Sequence, residues 1–294
     1  MFGEDEDKVR SYVQEITQMS WTPEKMRERL AGIEDGEQLK SAMRRLRRDV
    51  MMSLVARDIS GLANLEEVVT SMSDLAEITI DRTVSVYAKE LAKRFGVPRS
   101  ETGVPQDLIV IGMGKLGGRE LNVSSDIDLI FFYDCDGECG PTAEYPNVRK
   151  IISNQEFYER LAKKVIPALS EITWEGFVFR VDMRLRPNGE QMGYDPVSNE
   201  EELQKFRDWE RFAWLKGRVV NGPVFASEED FNIQKKNIND IVRPFVYRKY
   251  LDFGAISSLT DLHAKIRLST QKRALESLKE GQNIKLGRGG IREI

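Results

Sequence analysis

The stretch from Asp107 to Tyr133 constrains the fold of this chain more than any other, because it combines two strands with a bare turn. Two short apolar runs, Asp107–Gly112 and Asp126–Tyr133, have the composition of β-strands. Glycines leave the backbone between them bare, at Gly114, Gly117 and Gly118. Such a turn can adopt positive φ and approach a ligand closely, with its N–H groups directed at phosphate oxygens. The stretch therefore predicts a strand–turn–strand core that binds an anionic group.

Two aspartates open the second strand. Asp126 and Asp128 are two residues apart, so both carboxylates are expected on one face, with Ile127, Leu129 and Phe131 on the other, in a core. Neighbouring carboxylates repel each other, and a cation such as Mg²⁺, held together with substrate phosphates, removes that repulsion. A solvated turn is the common alternative for Asp-x-Asp alone. The adjacent Gly-Gly turn and the apolar strand favour a metal site.

The stretch Gly176–Pro187 alternates almost strictly, which indicates a third strand. One face is expected to be apolar, with Phe177, Phe179, Val181, Met183 and Leu185. The other is expected to carry Val178, Arg180, Asp182, Arg184 and Arg186. This second face is either an exposed ladder of ion pairs or a third metal carboxylate among phosphate-binding arginines. The functional interpretation is preferred because Asp126 and Asp128 lie on a neighbouring strand.

Composition narrows the chemistry. The net charge of −4 and the pI of about 5.5 give no basic field for nucleic acid. No apolar run of about 18 residues and no signal-peptide pattern is present, so we expect a cytoplasmic protein without a membrane span. Cys135 and Cys139 are expected to be reduced thiols. His263, the single histidine, fits a structural position in a helix, which leaves metal and carboxylate chemistry as the main route.

The hydrophobic periodicity predicts an α+β protein in which a mixed β-sheet core is flanked by helices at both ends. Residues 1–100 form a helical region, residues 101–225 a catalytic core, and residues 226–294 a C-terminal helical region that is truncated. Within these, we expect a helix at 153–172 that Pro167 kinks or splits, an amphipathic helix at 206–220 and a polar linker at 227–240. The pattern breaks off at Ile294, so we expect a fragment.

Five motifs, in this order, resemble one known family. They are GMGKLGGRELNVSSDIDLIFFY, GFVFRVDMRLRP, RDWERFAWLKGRVV, RPFVYRKYLDF and NIKLGRGGIREI, and the resemblance covers about residues 107–294. The chain is similar to bacterial glutamine synthetase adenylyltransferases, within the DNA-polymerase-beta-type nucleotidyltransferase superfamily. RDWERFA and GGIREI resemble the N-terminal, adenylyl-removing half of that family. The resemblance implies a nucleotidyltransferase core.

The resemblance also implies site residues, cofactors and partners. The catalytic carboxylates would be Asp126, Asp128 and Asp182, which would hold Mg²⁺, expected as two ions. The nucleotide- and phosphate-binding residues would be Lys115, Gly117, Gly118, Arg119, Ser125, Arg180, Arg184 and Arg186. Phosphate would attack the adenylyl group on a tyrosine of adenylylated glutamine synthetase and release ADP. A PII signal protein is a further expected partner.

Two alternatives stay open at this point. The chain could be a nucleotidyltransferase-like module that docks glutamine synthetase or a PII signal protein without turnover. It could also be a nucleotidyltransferase acting on RNA or a small molecule, which the acidic pI disfavours.

Overall fold

The computed structural model describes residues 6–183 and 213–246, with single positions at 260, 264 and 268. The helices are α1 (Glu6–Gln18), α2 (Pro23–Leu30), α3 (Gly36–Ile59), α4 (Leu65–Phe95), α5 (Gly114–Gly117), α6 (Asn154–Ser170) and α7 (Glu228–Val246). The strands are β1 (Val97–Pro98), β2 (Ile109–Met113), β3 (Ile127–Phe132), β4 (Cys139–Gly140), β5 (Val181–Asp182) and β6 (Arg218–Val219). The predicted α+β class is confirmed. Within the part of the chain that the structure describes, no helix has the length and apolarity to cross a membrane.

The predicted helical region at the N-terminus is confirmed as α1 to α4. Side-chain caps begin the two long helices, since Asp35 accepts from the Gln38 amide at 2.9 Å and Asn64 from the Glu67 amide at 2.8 Å. Helix α4 ends before Gly96, whose φ of 83° lies in the left-handed region. The long helices therefore begin and end at local sequence signals.

The central sheet has the strand order β5–β3–β2–β6. Strand β2 pairs antiparallel with β3 and β6, and β3 pairs parallel with β5, which makes the predicted mixed sheet. Ile127, Leu129 and Phe131 point into a core shared with α3, α4 and α6, as predicted. Ile130 and Phe132 point into a second core that includes residues of α7, which the sequence did not indicate. The sheet is therefore covered on both faces.

Several local predictions were wrong. Helix α6 continues through Pro167 to Ser170, so the proline does not split it; the expected kink stays a prediction. The helix expected at 206–220 does not reach its predicted end, since Arg218 and Val219 form β6; residues 206–212 lie outside the described part. Val178, expected on the open face, is fully buried because it precedes β5 and packs in the main core.

The polar linker expected at 227–240 is also wrong, because these residues belong to α7. Ser227 caps this helix by accepting from the Asp230 amide at 3.0 Å. Phe231 and Ile238, two helical turns apart, are buried against the sheet. Most residues of this helix are polar or charged, so its average composition resembles that of a linker. The few apolar residues that form its buried stripe are visible only from their helical spacing.

Candidate active site

Two of the predicted carboxylates are neighbours in the sheet. Asp128 on β3 and Asp182 on β5 are register partners in the parallel pair. Register partners project from the same face, and neighbouring strands lie about 4.8 Å apart. Both residues are half-buried. The sheet therefore places these two carboxylates side by side, as the alternating pattern predicts.

The glycine-rich turn begins beside this pair. Gly114 follows β2 directly and has a φ of 54°, in the region that favours glycine. A Cβ at Gly114 would lie 3.0 Å from Oδ2 of Asp128, so the carboxylate faces bare backbone. Glycine is required here both by its conformation and by the close approach of Asp128.

Asp126, the third predicted carboxylate, has a different partner. It is exposed one residue before β3, and its Oδ1 accepts a short hydrogen bond from Nε of Arg180. The same guanidinium donates to the Ser124 carbonyl at 2.7 Å. Arg180, predicted to bind phosphate, thus neutralises a carboxylate at the edge of the site.

The donor set decides how well a divalent cation fits. Among the described residues, no group of three His, Cys, Asp or Glu side chains is close enough to hold a metal ion. Asp128 and Asp182 nevertheless offer carboxylate oxygens on one face, which suits Mg²⁺ shared with substrate phosphates. Asp126 would join them by exchanging Arg180 for the cation. The metal site stays a prediction.

Lys115 and Ser125 lie together at the mouth of the turn. The Lys115 ammonium is 3.3 Å from the Ser125 hydroxyl, which in turn donates to Asn122 at 2.8 Å. Lys115 belongs to α5, directly after Gly114. Two predicted phosphate-binding side chains, from the turn and from the loop before β3, are therefore brought into contact.

Gly117 and Gly118 are approached by protein. A Cβ at Gly117 would meet the backbone carbonyl oxygens of Lys216 at 1.9 Å and of Gly112 at 2.6 Å. At Gly118 the nearest atom is Cδ of Lys216, 3.1 Å away. Neither glycine has positive φ. These contacts account for glycine at both positions, and their phosphate-binding role stays a prediction.

Arg119, another predicted phosphate ligand, binds two carboxylates of α4. Its guanidinium donates to Asp74 at 2.5 Å and to Glu77 at 2.9 Å. The hydrogen bond that Arg119 donates to Asp74 raises the pKa of Arg119 above its ordinary value. Arg119 is thus engaged on the side of the turn that faces α4. Two other predicted ligands, Arg184 and Arg186, lie outside the described residues.

Sequence reasoning missed the acidic face of α4. Asp74 and Glu77 lie one turn apart, where a charged pair is normally taken for a solvated surface. Their position in α4 could have indicated this contact, because the other faces of the helix are buried. Leu75, Ile78 and Ile80 are among the buried residues. A carboxylate in such a helix is expected to face another part of the protein.

Comparisons with known proteins place the chain in a family. A family model described as glutamate-ammonia ligase adenylyltransferase matches residues 6–233, which is more than half of the chain. The chain belongs to this family. The match covers the N-terminal helices, the carboxylate pair and the glycine-rich turn.

Similar curated proteins carry the name bifunctional glutamine synthetase adenylyltransferase/adenylyl-removing enzyme. The relative from Aromatoleum aromaticum is 47% identical over 264 residues, covering 88% of this chain and 26% of the relative. The one from Burkholderia mallei is 47% identical, covering 87% and 27%. The one from Nitrosomonas eutropha is 40% identical, covering 99% and 30%. The chain therefore spans between a quarter and a third of the length of these relatives.

Proposed function

We propose that the chain catalyses the adenylyl-removing reaction, in which inorganic phosphate cleaves adenylyl-tyrosine on glutamine synthetase. The observation that carries the proposal is the register of Asp128 with Asp182 beside the turn that holds Lys115. Membership of the adenylyltransferase family and the names of the relatives support the reaction class and the protein substrate.

The reaction is a single displacement at the adenylyl phosphorus. A phosphate oxygen forms a bond to that phosphorus, and the bond from the phosphorus to the tyrosine oxygen breaks, giving ADP and the free tyrosine. A tyrosine phenol has a pKa of about 10, so it leaves more readily than an alcohol. Phosphate is already ionised at neutral pH. The site therefore needs charge neutralisation and alignment more than a histidine base.

The side chains divide these tasks by charge. Asp128 and Asp182, joined by Asp126, would hold the Mg²⁺, expected as two ions. When bound, Mg²⁺ supplies neutralisation of the phosphoryl oxygens and a template for in-line attack. Lys115 would bind the attacking phosphate, and the hydroxyl of Ser125, 3.3 Å from its ammonium, would donate to the phosphate in place of Asn122.

Further phosphate ligands and the PII partner belong to the same proposal. Arg184 and Arg186 would be further phosphate ligands, and Arg180 would join them only after Asp126 exchanges it for the cation. The motifs RDWERFA and GGIREI resemble the removing half of the family, which supports phosphorolysis over transfer of an adenylyl group from ATP. A PII signal protein is a further proposed partner.

The first experiment measures ADP. The chain is incubated with adenylylated glutamine synthetase, phosphate and Mg²⁺, and ADP is quantified over time. Asp128→Asn removes one carboxylate of the register pair while keeping its size. We expect it to lower the rate by at least about 100-fold, because a positioned charge at the reacting phosphoryl group contributes several kcal/mol.

Asp49→Asn is the matched control, because Asp49 is a surface carboxylate on α3 that pairs with Arg29 at 2.8 Å. It should leave the rate unchanged. No ADP from the unmodified chain would contradict the proposal and favour the docking module. A second incubation, with unmodified glutamine synthetase, ATP and Mg²⁺, tests the opposite direction: pyrophosphate release there, without ADP in the first incubation, would instead indicate the transfer reaction.

A further inference from the structure

The glycine-rich turn, residues 114–120, is attached to the N-terminal helical region by an ion cluster. Asp74 and Glu77 on α4 face this turn, and their side chains are only 16% and 21% exposed. Both bind Arg119, which lies at the end of the turn. Two largely buried carboxylates of α4 thus bind one guanidinium of the turn, which connects the helical region to the sheet.

Glu77 also contacts the turn through a second arginine, Arg218. Its Oε1 accepts from Arg218 of β6 at 2.6 Å, and the same guanidinium donates to the carbonyls of Gly117 at 3.2 Å and Leu116 at 3.3 Å. These are carbonyl groups at the end of α5. The cluster contains two positive and two negative side chains and is neutral overall. Removing one carboxylate would leave partly buried positive charge unbalanced.

Arg119 lies where α5 ends and has an unusual backbone conformation. It is the one non-glycine residue with positive φ in the described part of the chain, at 56°. Two backbone hydrogen bonds close the helix end around it, from the Arg119 amide to the Leu116 carbonyl at 3.1 Å and from the Glu120 amide to the Lys115 carbonyl at 2.7 Å. The carboxylates of Asp74 and Glu77 hold its side chain, so the helix end is fixed by backbone and side-chain contacts together.

We propose that Asp74 and Glu77 are positioning residues that set the place of Lys115 through the turn; this rests on the proposed function. Lys115 lies between Gly114, which faces Asp128, and the two carbonyls that Arg218 binds. Its own carbonyl accepts from the Glu120 amide at 2.7 Å, which closes the turn around it. A shift at Arg119 is therefore transmitted to the backbone of Lys115 through this hydrogen bond.

The test compares two glutamates of the same helix. Glu77→Ala removes the shared carboxylate, and Glu67→Ala removes a matched one, which binds Arg57 through hydrogen bonds of 2.9 and 3.1 Å and is 26% exposed. Arg57 lies on α3, away from the turn. We expect Glu77→Ala to raise the KM for phosphate about tenfold with a smaller change in kcat, because a displaced group loses binding. Glu67→Ala should change the thermal midpoint and leave the KM unaltered.

Amide hydrogen exchange gives a readout that does not require turnover. We expect exchange of the turn amides to become about tenfold faster in Glu77→Ala and to stay unchanged in Glu67→Ala. If Glu77→Ala does not fold, Glu77→Gln, which keeps the size and one acceptor, decides by the same two measurements. Unchanged exchange and unchanged phosphate KM in the Glu77 variant would overturn the proposal. Absence of ADP from the unmodified chain would contradict the proposed function alone, and the exchange data would still decide on the turn.

Discussion

At the scale of single residues, the partner of each basic side chain distinguishes candidate phosphate ligands from side chains with a structural role. Arg119 binds the carboxylates of Asp74 and Glu77, and Arg180 binds Asp126. Lys115 has a neutral partner, the hydroxyl of Ser125. An ammonium beside a hydroxyl keeps its charge available to an incoming dianion, whereas a guanidinium paired with a carboxylate does not.

Replacement of Lys115 tests this distinction. We expect Lys115→Ala to raise the KM for phosphate about tenfold, which corresponds to about 1.4 kcal/mol of lost binding. The effect should shrink at high salt, because the site is open to solvent. Initial rates at varied phosphate concentration measure it. Lys163→Ala, at an exposed position of α6, is the control. An unaltered phosphate KM in Lys115→Ala would remove this lysine from the site.

At the scale of elements, the turn between β2 and β3 is packed against the segment that leads into β6. The carbonyl oxygen of Lys216 occupies the space where a Cβ of Gly117 would lie, and Lys216 also binds Glu120 at 2.7 Å. Strand β6 pairs with β2 immediately afterwards, with Gly112 and Arg218 as register partners. The turn and the edge strand thus form one packed unit that supports Lys115.

Gly117→Ala should disrupt that unit. The added methyl group would overlap two backbone carbonyls, which cannot rotate away as a side chain does. We expect a loss of about 1–3 kcal/mol in the free energy of unfolding, measured by urea denaturation. Gly140→Ala is the matched control, because its nearest contact would be a side-chain carbon of Arg99 at 3.9 Å. Equal stability of the two variants would show that the approach of Lys216 is not tight.

At the scale of the whole molecule, one buried carboxylate joins the sheet to the segment that enters α7. Asp107, just before β2, accepts hydrogen bonds from the backbone amides of Val224, Phe225 and Ala226 at 2.9–3.2 Å. Burial raises the pKa of Asp107, and the three amide donors oppose this shift. Its side chain therefore fixes where α7 begins relative to the sheet.

We expect Asp107→Ala to lower the free energy of unfolding by about 3 kcal/mol, because it leaves three amides without their acceptor. Asp134→Ala is the comparison. Asp134 follows β3 and, within the described part of the chain, binds the side-chain amide of Asn237 on α7, at 3.0 and 3.1 Å. It should cost about 1 kcal/mol. Urea denaturation followed by tryptophan fluorescence, with Trp214 against α7, measures both variants. A loss at Asp134 equal to that at Asp107 would contradict this ranking.

The features that the sequence predicted correctly are those with local causes. The helical N-terminal region, the end of α4 at Gly96 and the strand–turn–strand at β2 and β3 each follow from neighbouring residues. The placement of Asp182 beside Asp128 followed from alternation on two strands. The polar linker that became α7, and the buried Val178, were mispredicted because packing against distant segments decided them.

By itself, the amino-acid sequence determined the α+β class, the glycine-rich turn and the two strands that carry Asp128 and Asp182. These features depend on hydrophobic periodicity, glycine conformation and aspartate positions within a few neighbouring residues. Only the tertiary structure decided which charges meet. Arg119 binds Glu77 at a sequence separation of 42 residues, and Arg218 binds Glu77 at a separation of 141. Asp126 and Arg180 are 54 residues apart in the sequence. Such pairs form because burial of the two cores brings the segments together, and no local pattern encodes that proximity.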